Sequence, residues 1–182
     1  VNDTTYGIHF IGGSQNNIIR NYYGYDNSYN VLFQACSGNY IYDSNLSDYS
    51  TAGVWSLTGS INNTIINSTY ESETTASGNE LIRKWYYQAY VNDSLGNAVV
   101  ANVSSTNSSG AVEFSVMTNS SGWVADKQEI TDYYRAGFSG NGIRSYYNSV
   151  VSAVNSTYAT TNSTYNATAD ETNVNDNIQM SI

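Results

Sequence analysis

The most frequent pattern in this chain that could undergo chemistry is an asparagine followed two residues later by serine or threonine. In such Asn-x-Ser/Thr sequons, where x is not proline, the side-chain amide nitrogen can be joined to an oligosaccharide. The chain contains no proline, so no sequon is spoiled. The density of sequons predicts an N-glycosylated protein outside the cell. The candidate acceptors are Asn2, Asn45, Asn67, Asn92, Asn102, Asn107, Asn119, Asn155, Asn162 and Asn166.

The ionisable residues form no pattern that is typical of an enzyme. His9 is the single histidine, which provides neither a Ser-His-Asp triad nor a zinc site. Cleavage of a glycosidic bond needs two carboxylates at a defined separation, and Asp26, Asp43 and Asp48 are the candidates. Arg20 falls in the same repeat column as Asp43, so an exposed ion pair explains that pair more simply. We therefore predict no catalytic residues and a non-enzymatic protein.

A cluster of carboxylates and amides precedes the predicted last strand of the chain. Its members are Asp170, Glu171, Asn173, Asn175 and Asp176. Hard oxygen ligands of this kind suit Ca²⁺, although their spacing fits no EF-hand loop. The alternative is a solvated acidic turn, so the sequence is compatible with Ca²⁺ but assigns no metal ligand.

Composition and charge narrow the class of protein further. Lys plus Arg is 6 and Asp plus Glu is 15, which gives a net charge of −9 and argues against nucleic-acid binding. No apolar run approaches the length of about 18 residues that a membrane-spanning helix needs. A single cysteine excludes an internal disulfide. The chain begins at Val1 with a polar segment that does not resemble a signal peptide. We therefore expect a processed mature protein or a fragment of a longer one.

Residues 7–75 contain an internal repeat with a period of 23 residues. A gap-free alignment of 7–29, 30–52 and 53–75 places similar residues in the same column. One column is β-branched and contains Ile8, Val31 and Val54. Another contains Asn16, Asn39 and Asn62. A short repeat of alternating strands predicts a parallel β-helix of about three rungs, stacked about 4.8 Å apart, in which the asparagine column forms an amide ladder.

The pattern changes after the repeats. Alternating segments at 81–91, 98–106 and 111–118 are separated by Asn/Gly turns, which is typical of an antiparallel β-sandwich. Residues 132–144 are predicted to form a loop. The predicted fold is therefore all-β, with a short parallel β-helix at 1–76 followed by an antiparallel immunoglobulin-like sandwich at 77–182.

Two stretches resemble known families. Residues 1–75 resemble the right-handed β-helix repeats of secreted carbohydrate-active enzymes and of archaeal surface proteins. The stretch KWYYQAYVNDSLGNAVVANVSSTNSSGAVEFSVMTNSSGWV resembles carboxypeptidase-regulatory-like or Cna-B-type immunoglobulin-like domains. The usual proline after the Gly-Asn turn is replaced by Ala98 and Val99. Together the resemblances imply an archaeal-type extracellular surface or adhesin-like protein, in which such modules act as stalks and spacers.

Two functions of different classes follow as expectations. The first is a structural subunit of a glycosylated extracellular filament, sheath or surface layer, whose partner is a second copy of itself. A thin solenoid presents unpaired strands at its end, and either a preceding part of the chain or another subunit must cover them. The second is a carbohydrate-binding or adhesin module of a larger cell-surface protein, whose partners are surface glycans.

The decapeptide INNTIINSTY, residues 61–70, holds two overlapping interpretations. It alternates like a strand, and it carries the sequons of Asn62 and Asn67. Because Asn62 falls in the predicted amide ladder, we expect it to be unmodified. Asn67 falls nearer the corner of the rung, so we expect it to be the better acceptor.

Overall fold

A computed structural model of the chain describes residues 4–136, 143–167, 169 and 172–182. This described part is all-β, contains no helix and pairs its strands in both parallel and antiparallel directions. The strands are β1 (Tyr6–Ile11), β2 (Ile18–Arg20), β3 (Asn27–Gln34), β4 (Tyr40–Tyr42), β5 (Tyr49–Leu57), β6 (Asn63–Ile66), β7 (Glu73–Thr75), β8 (Glu80–Asp93), β9 (Asn102–Asn107), β10 (Val112–Met117), β11 (Gln128–Ala136), β12 (Ile143–Tyr146), β13 (Ser149–Val154), β14 (Thr161–Tyr165) and β15 (Val174–Met180).

The chain divides into two compact units. The first takes residues 1–84 and 133–145, and the second takes 85–132 and 146–182. Both predicted domains, 1–76 and 77–182, are continuous stretches of chain. In the structure the first unit instead extends to Lys84, and a later segment, residues 133–145, also belongs to it. Strands β8 and β11 therefore each contribute residues to both units.

Parallel pairing between successive repeats builds the first unit. One sheet has the order β1-β3-β5-β7, and in another β2, β4, β6 and β8 follow one another. The β-branched column predicted from the sequence is confirmed, because Ile8 pairs with Val31 and Val31 pairs with Val54. The alternation of apolar and polar residues in these strands buries one side of each sheet. The buried apolar side chains of the unit are Phe10, Val31, Phe33, Cys36, Ile41, Leu46, Val54, Ile65, Tyr70 and Leu81.

The spacing between paired residues of successive repeats is not a uniform 23 residues. Before the first turn, Ile11 pairs with Gln34 and Gln34 pairs with Leu57. After the turn, Gln15 pairs with Ser37 and Ser37 pairs with Ile61. The middle repeat therefore crosses this turn with one residue fewer than its neighbours. A register shift between Asn27 and Tyr29 restores the spacing before the next turn. Between these two points the paired columns lie one position away from those of the gap-free alignment.

Residues with left-handed backbone lie at the corners between successive strands of the first unit. Positive φ angles recur at three stacked sets of residues, and seven of these nine residues are glycine, asparagine or aspartate, which tolerate this conformation best. The sets are Gly12, Ala35 and Thr58, then Asn16, Gly38 and Asn62, then Asn21, Asp43 and Asn67. The exposed Asn16 and Asn62 are thus corner residues.

The second unit is built around a four-stranded antiparallel sheet of order β10-β9-β13-β14. The last strand, β15, instead runs parallel to β8, from Val174 beside Tyr87 to Met180 beside Asp93. The prediction of a wholly antiparallel arrangement is therefore wrong at this strand. The core contains Trp85, Tyr87, Val91, Val103, Phe114, Ile130, Val151, Ile178 and Met180.

Candidate functional site

A buried carboxylate in β7 is the centre of a cluster of charged and phenolic groups within the first unit. The Glu73 side chain is 0% exposed. Its Oε1 accepts hydrogen bonds from Arg135 Nη1 at 2.9 Å and from Arg144 Nε at 3.1 Å. Its Oε2 accepts from the Tyr70 hydroxyl at 2.9 Å and the Tyr133 hydroxyl at 2.6 Å. We call these five residues the Glu73 cluster.

The electrostatics of the Glu73 cluster favour a fixed arrangement. Burial, followed by the adjacent Glu73 carboxylate, raises the pKa of both the Tyr70 and the Tyr133 hydroxyl above the ordinary value for tyrosine. Protonated hydroxyls can donate to the carboxylate, as the distances require. Both carboxylate oxygens are therefore occupied by protein donors, and the arrangement acts as a clasp between β7, β11 and β12.

The clasp also closes the edge of a sheet. Strand β7 ends the order β1-β3-β5-β7, and an edge strand exposes backbone groups that can pair with another chain. Arg135 Nη1 donates to the backbone carbonyl of Glu73 at 2.9 Å as well as to its carboxylate. The β7 edge is thus blocked at the Glu73 carbonyl by a guanidinium group.

Sequence reasoning missed this cluster. Glu73 lies in a polar run that reads as a turn, and residues 132–144 were predicted to be a loop. That prediction is wrong for residues 132–136, which continue β11, with Tyr133 and Arg135 both buried. It is also wrong for residues 143 and 144, which begin β12. The signal was available in the alternation Tyr133-x-Arg135, which places an aromatic and a cation on one side of a strand.

The opposite edge of the same sheet carries no such protection within the described residues. Strand β1 is the other end of the order, and its segment YGIHFI has neither lysine nor proline, two devices that commonly protect edges. The apolar core is partly open here. Ile8 and Ile19 are half-buried, although Val31 and Ile41, which pair with them, are fully buried. We call the edges of β1 and β2 the open edge.

An amide chain runs through the stacked repeats, but one position away from the predicted ladder. Asn17 Nδ2 donates to Asn39 Oδ1 at 2.8 Å, and Asn39 Nδ2 donates to Asn63 Oδ1 at 2.9 Å. The predicted members Asn16 and Asn62 are wrong because the middle repeat loses a residue at the turn just before this column. Each of them occupies a corner instead.

The predicted glycosylation residues occupy several environments. Asn2 lies outside the described residues. The exposed members are Asn45, Asn62, Asn119, Asn162 and Asn166, and the half-buried members are Asn67, Asn92, Asn102, Asn107 and Asn155. The expectation for the decapeptide is changed, because Asn62 faces solvent and Asn67 is partly covered.

The residues weighed as catalytic candidates lie apart from the Glu73 cluster. His9 is exposed, and its Nε2 lies 2.9 Å from Gln34 Oε1. Arg20 Nη1 lies 3.7 Å from Asp43 Oδ2, which is the exposed ion pair predicted from the sequence. The Arg20 guanidinium group also covers the Tyr42 ring. Asp26 and Asp48 line an open groove of about 750 Å³, together with Thr4, Thr5, Ser28, Tyr49 and Ser50.

The calcium hypothesis is only partly accessible to the structure, since Asp170 and Glu171 lie outside the described residues. Asp176 Oδ2 accepts the Tyr87 hydroxyl at 3.0 Å, and Asn173 Oδ1 accepts the Tyr86 amide at 2.9 Å. Among the described residues, no group of three or more His, Cys, Asp or Glu side chains is placed to hold a metal ion.

Comparison with known proteins identifies no relative. No family model matches the chain, and no curated protein or solved structure matches it significantly. Within the part of the chain that is described, no helix has the length and apolarity to cross a membrane.

Proposed function

We propose that this chain is a non-enzymatic structural module of an extracellular, N-glycosylated surface assembly such as a filament, sheath or surface layer. In this proposal the first unit is a short parallel β-helix of about three rungs, and the second is an immunoglobulin-like spacer. Copies meet through backbone pairing at the open edge of the first unit. The observation that carries the proposal is the contrast between this edge and the blocked edge of β7.

The chemistry of β1 argues that the partner is a second copy of this chain. A partner strand at this edge must extend the alternation that β1 already shares with β3, in which Tyr6, Ile8 and Phe10 pair with like residues. Strand β1 itself carries that pattern. Two copies related by a two-fold axis would pair β1 with β1 in antiparallel directions, and each would complete the other's half-covered core.

Light scattering coupled to size-exclusion chromatography tests this proposal over a range of protein concentrations. The edge variant combines Ile11→Lys and Ile18→Lys, at side chains that are 53% and 59% exposed. Lysines on the edge strands of natural sheets prevent pairing with another chain by charge repulsion, so this variant is expected to be monomeric. The control combines Ile61→Lys and Leu95→Lys, which make the same change of charge at exposed sites outside β1 and β2.

The unsubstituted chain and the control are expected to associate, with a mass that rises with concentration. A wild-type chain that stays monomeric at every concentration would contradict pairing between copies. Equal association of the edge variant and the control would place the contact elsewhere.

A second candidate function is carbohydrate binding, and the open groove beside Asp26 and Asp48 favours it. Carboxylates and hydroxyls of this kind can hydrogen-bond to sugars. The aromatic residues give less support. Tyr6, Tyr29 and Trp55 stack on one another, with centroids 5.8 and 4.6 Å apart, so each ring covers a face that a sugar would need. Saturable binding on a glycan array, lost on Asp48→Asn, would favour this candidate.

A further inference from the structure

We propose that Asn45, Asn107 and Asn119 are the principal acceptors of N-linked oligosaccharide in this chain, and that Asn67 is not one. The inference rests on the extracellular placement in the proposed function and names the amide nitrogens that react. It depends on the geometry of each sequon, which divides them into groups that composition alone cannot separate.

The reaction sets two requirements for an acceptor. The Asn Nδ2 forms a bond to C1 of a sugar, while the bond from that C1 to the phosphate oxygen of a lipid-linked oligosaccharide breaks. The lipid phosphate leaves with the bonding electrons, and Nδ2 gives up a proton to a base of the transferase. The nitrogen must therefore be accessible, and the folded chain must accommodate the attached sugar without losing a contact made by that nitrogen.

In three sequons the same local turn engages the side-chain oxygen of the asparagine and leaves its nitrogen without a hydrogen bond to a described residue. The side-chain oxygen of the asparagine accepts the backbone N–H of the hydroxyl residue two positions later. The O···N distances are 3.0 Å for Asn45 with Ser47, 3.1 Å for Asn107 with Ser109 and 3.0 Å for Asn119 with Ser121. Because the oxygen faces the backbone, the nitrogen on the other side of the amide carbon is directed away from it. The turn also holds the sequon's serine close to the amide.

Two of these turns are copies of one another. Asn107 and Asn119 each begin the sequence Asn-Ser-Ser-Gly, and the glycines at 110 and 122 have φ angles of 85° and 80°. In both, the glycine N–H donates to the asparagine carbonyl at 2.9 Å. The repeated geometry shows that the four residues fix the turn locally, so both sites present the same side-chain arrangement.

The two sequons of INNTIINSTY lack this arrangement. Asn67 Nδ2 donates to Asp43 Oδ1 at 2.7 Å, so its nitrogen holds two stacked corners together. A sugar on this nitrogen would displace that bond. Asn62 is exposed, but the threonine of its sequon, Thr64, is only 3% exposed. Its hydroxyl is therefore inaccessible in the folded chain.

Asn155 is an internal control for the role of the nitrogen. Its Oδ1 accepts the Thr157 N–H at 2.7 Å, as in the three acceptor turns. Its Nδ2, however, donates to the Val100 carbonyl at 2.8 Å. If an unengaged nitrogen decides the outcome, Asn155 is expected to have low occupancy despite its turn.

Site mapping by mass spectrometry tests the inference on the full chain, secreted by a host that supplies lipid-linked oligosaccharide. Enzymatic release of the sugars in ¹⁸O-labelled water marks each occupied asparagine as labelled aspartate. The test variant combines Ser47→Ala, Ser109→Ala and Ser121→Ala, which removes the sequon hydroxyls and keeps the backbone N–H groups that stabilise the turns. The control combines Thr69→Ala and Thr157→Ala, which destroys the sequons of Asn67 and Asn155 at exposed threonines.

We expect label at Asn45, Asn107 and Asn119 in most copies, with loss of the corresponding sugar mass in the test variant and an unchanged mass in the control. Label at Asn67 or Asn155 with the three turn sites empty would overturn the inference. Complete absence of sugar would also overturn it, while the light-scattering experiment on the same preparation still decides whether copies associate at the open edge.

Discussion

Replacing Glu73 with glutamine is the sharpest perturbation of the clasp at the β7 edge. The substitution keeps the size of the side chain and removes its charge. Glutamine can still accept from Arg135 through its oxygen, but its NH₂ group must then face the two hydroxyls that now donate to Oε2. Those hydroxyls can rotate to accept, so the main loss is the charge that compensates the guanidinium groups.

The expected cost follows from burial. Glu73 is 0% exposed and Arg135 is 9% exposed, so their pair is shielded from water, whereas Arg144 is 33% exposed and partly solvated. Removing one partner of a buried ion pair typically costs about 3–5 kcal/mol, because the remaining charge stays buried without compensation. Most of this cost should come from Arg135. Stabilities of single domains are about 5–15 kcal/mol, so the loss should be a large fraction of the total.

Urea denaturation measures the loss, and hydrogen exchange assigns it to the first unit through the amides of β5 and β7. Glu71→Gln is the matched control, since Glu71 is exposed and the change of charge is the same. The double variant Glu73→Gln with Arg135→Gln should be less destabilised than the sum of the single variants, because both charges of the buried Glu73–Arg135 pair are then removed together. A cost for Glu73→Gln as small as that of the control would refute the clasp.

Two other predictions concern the backbone and the tyrosines. Thr58 is exposed and has a φ of 57°, so Thr58→Gly should relieve backbone strain and raise the free energy of unfolding by about 0.5–1 kcal/mol in thermal denaturation. The control Thr51→Gly, in β5, should lower the free energy of unfolding, and a loss of stability in Thr58→Gly would contradict the argument. Burial raises the pKa of Tyr70, Tyr87 and Tyr133. Unfolded tyrosine ionises near pH 10, so the stability that these groups contribute is complete below that pH and is lost as the pH rises above it. Phenolate absorbance and circular dichroism followed together should show these three ionising only as the fold is lost, and three normal titrations in an intact fold would contradict this.

The sequence predicted the stacked strands of the first unit but not their register throughout. The column of Ile8, Val31 and Val54 was found because the spacing between paired residues is 23 at these positions of β1, β3 and β5. In the sheet that contains β2, β4 and β6, Ile41 pairs with Ile19 and Ile65, and the spacing is 22 and then 24. A gap-free alignment averages these values and cannot detect a residue lost at one turn and restored by a later register shift. Only the pairing of strands in the structure distinguishes a uniform spacing of 23 from this alternation.

Local pattern could indicate the strand that carries Tyr133 and Arg135, but not the Glu73 cluster that this strand completes. The members of the cluster come from segments separated by about sixty residues or more, as in the bond between Tyr133 and Glu73, and each segment is too polar or too short to indicate burial. A carboxylate becomes tolerable in the interior only when its donors arrive from elsewhere in the chain. Local hydrogen bonding, by contrast, makes the Asn-Ser-Ser-Gly turns recognisable from sequence.

The unequal edges of the first unit constrain how copies can assemble. If both edges were open, β1 of one copy could pair with β7 of the next, and such a head-to-tail contact would continue into a filament. Arg135 on the Glu73 carbonyl blocks that contact. Under the proposed pairing, the contact left to the open edge is two-fold, and a two-fold contact closes after two copies. A filament or layer therefore needs a second contact elsewhere on the chain, whereas association that stops at a dimer would mean that the open edge accounts for the whole assembly. Arg135→Gln, which removes the guanidinium group from the Glu73 carbonyl, should shift the limit from dimers toward longer species.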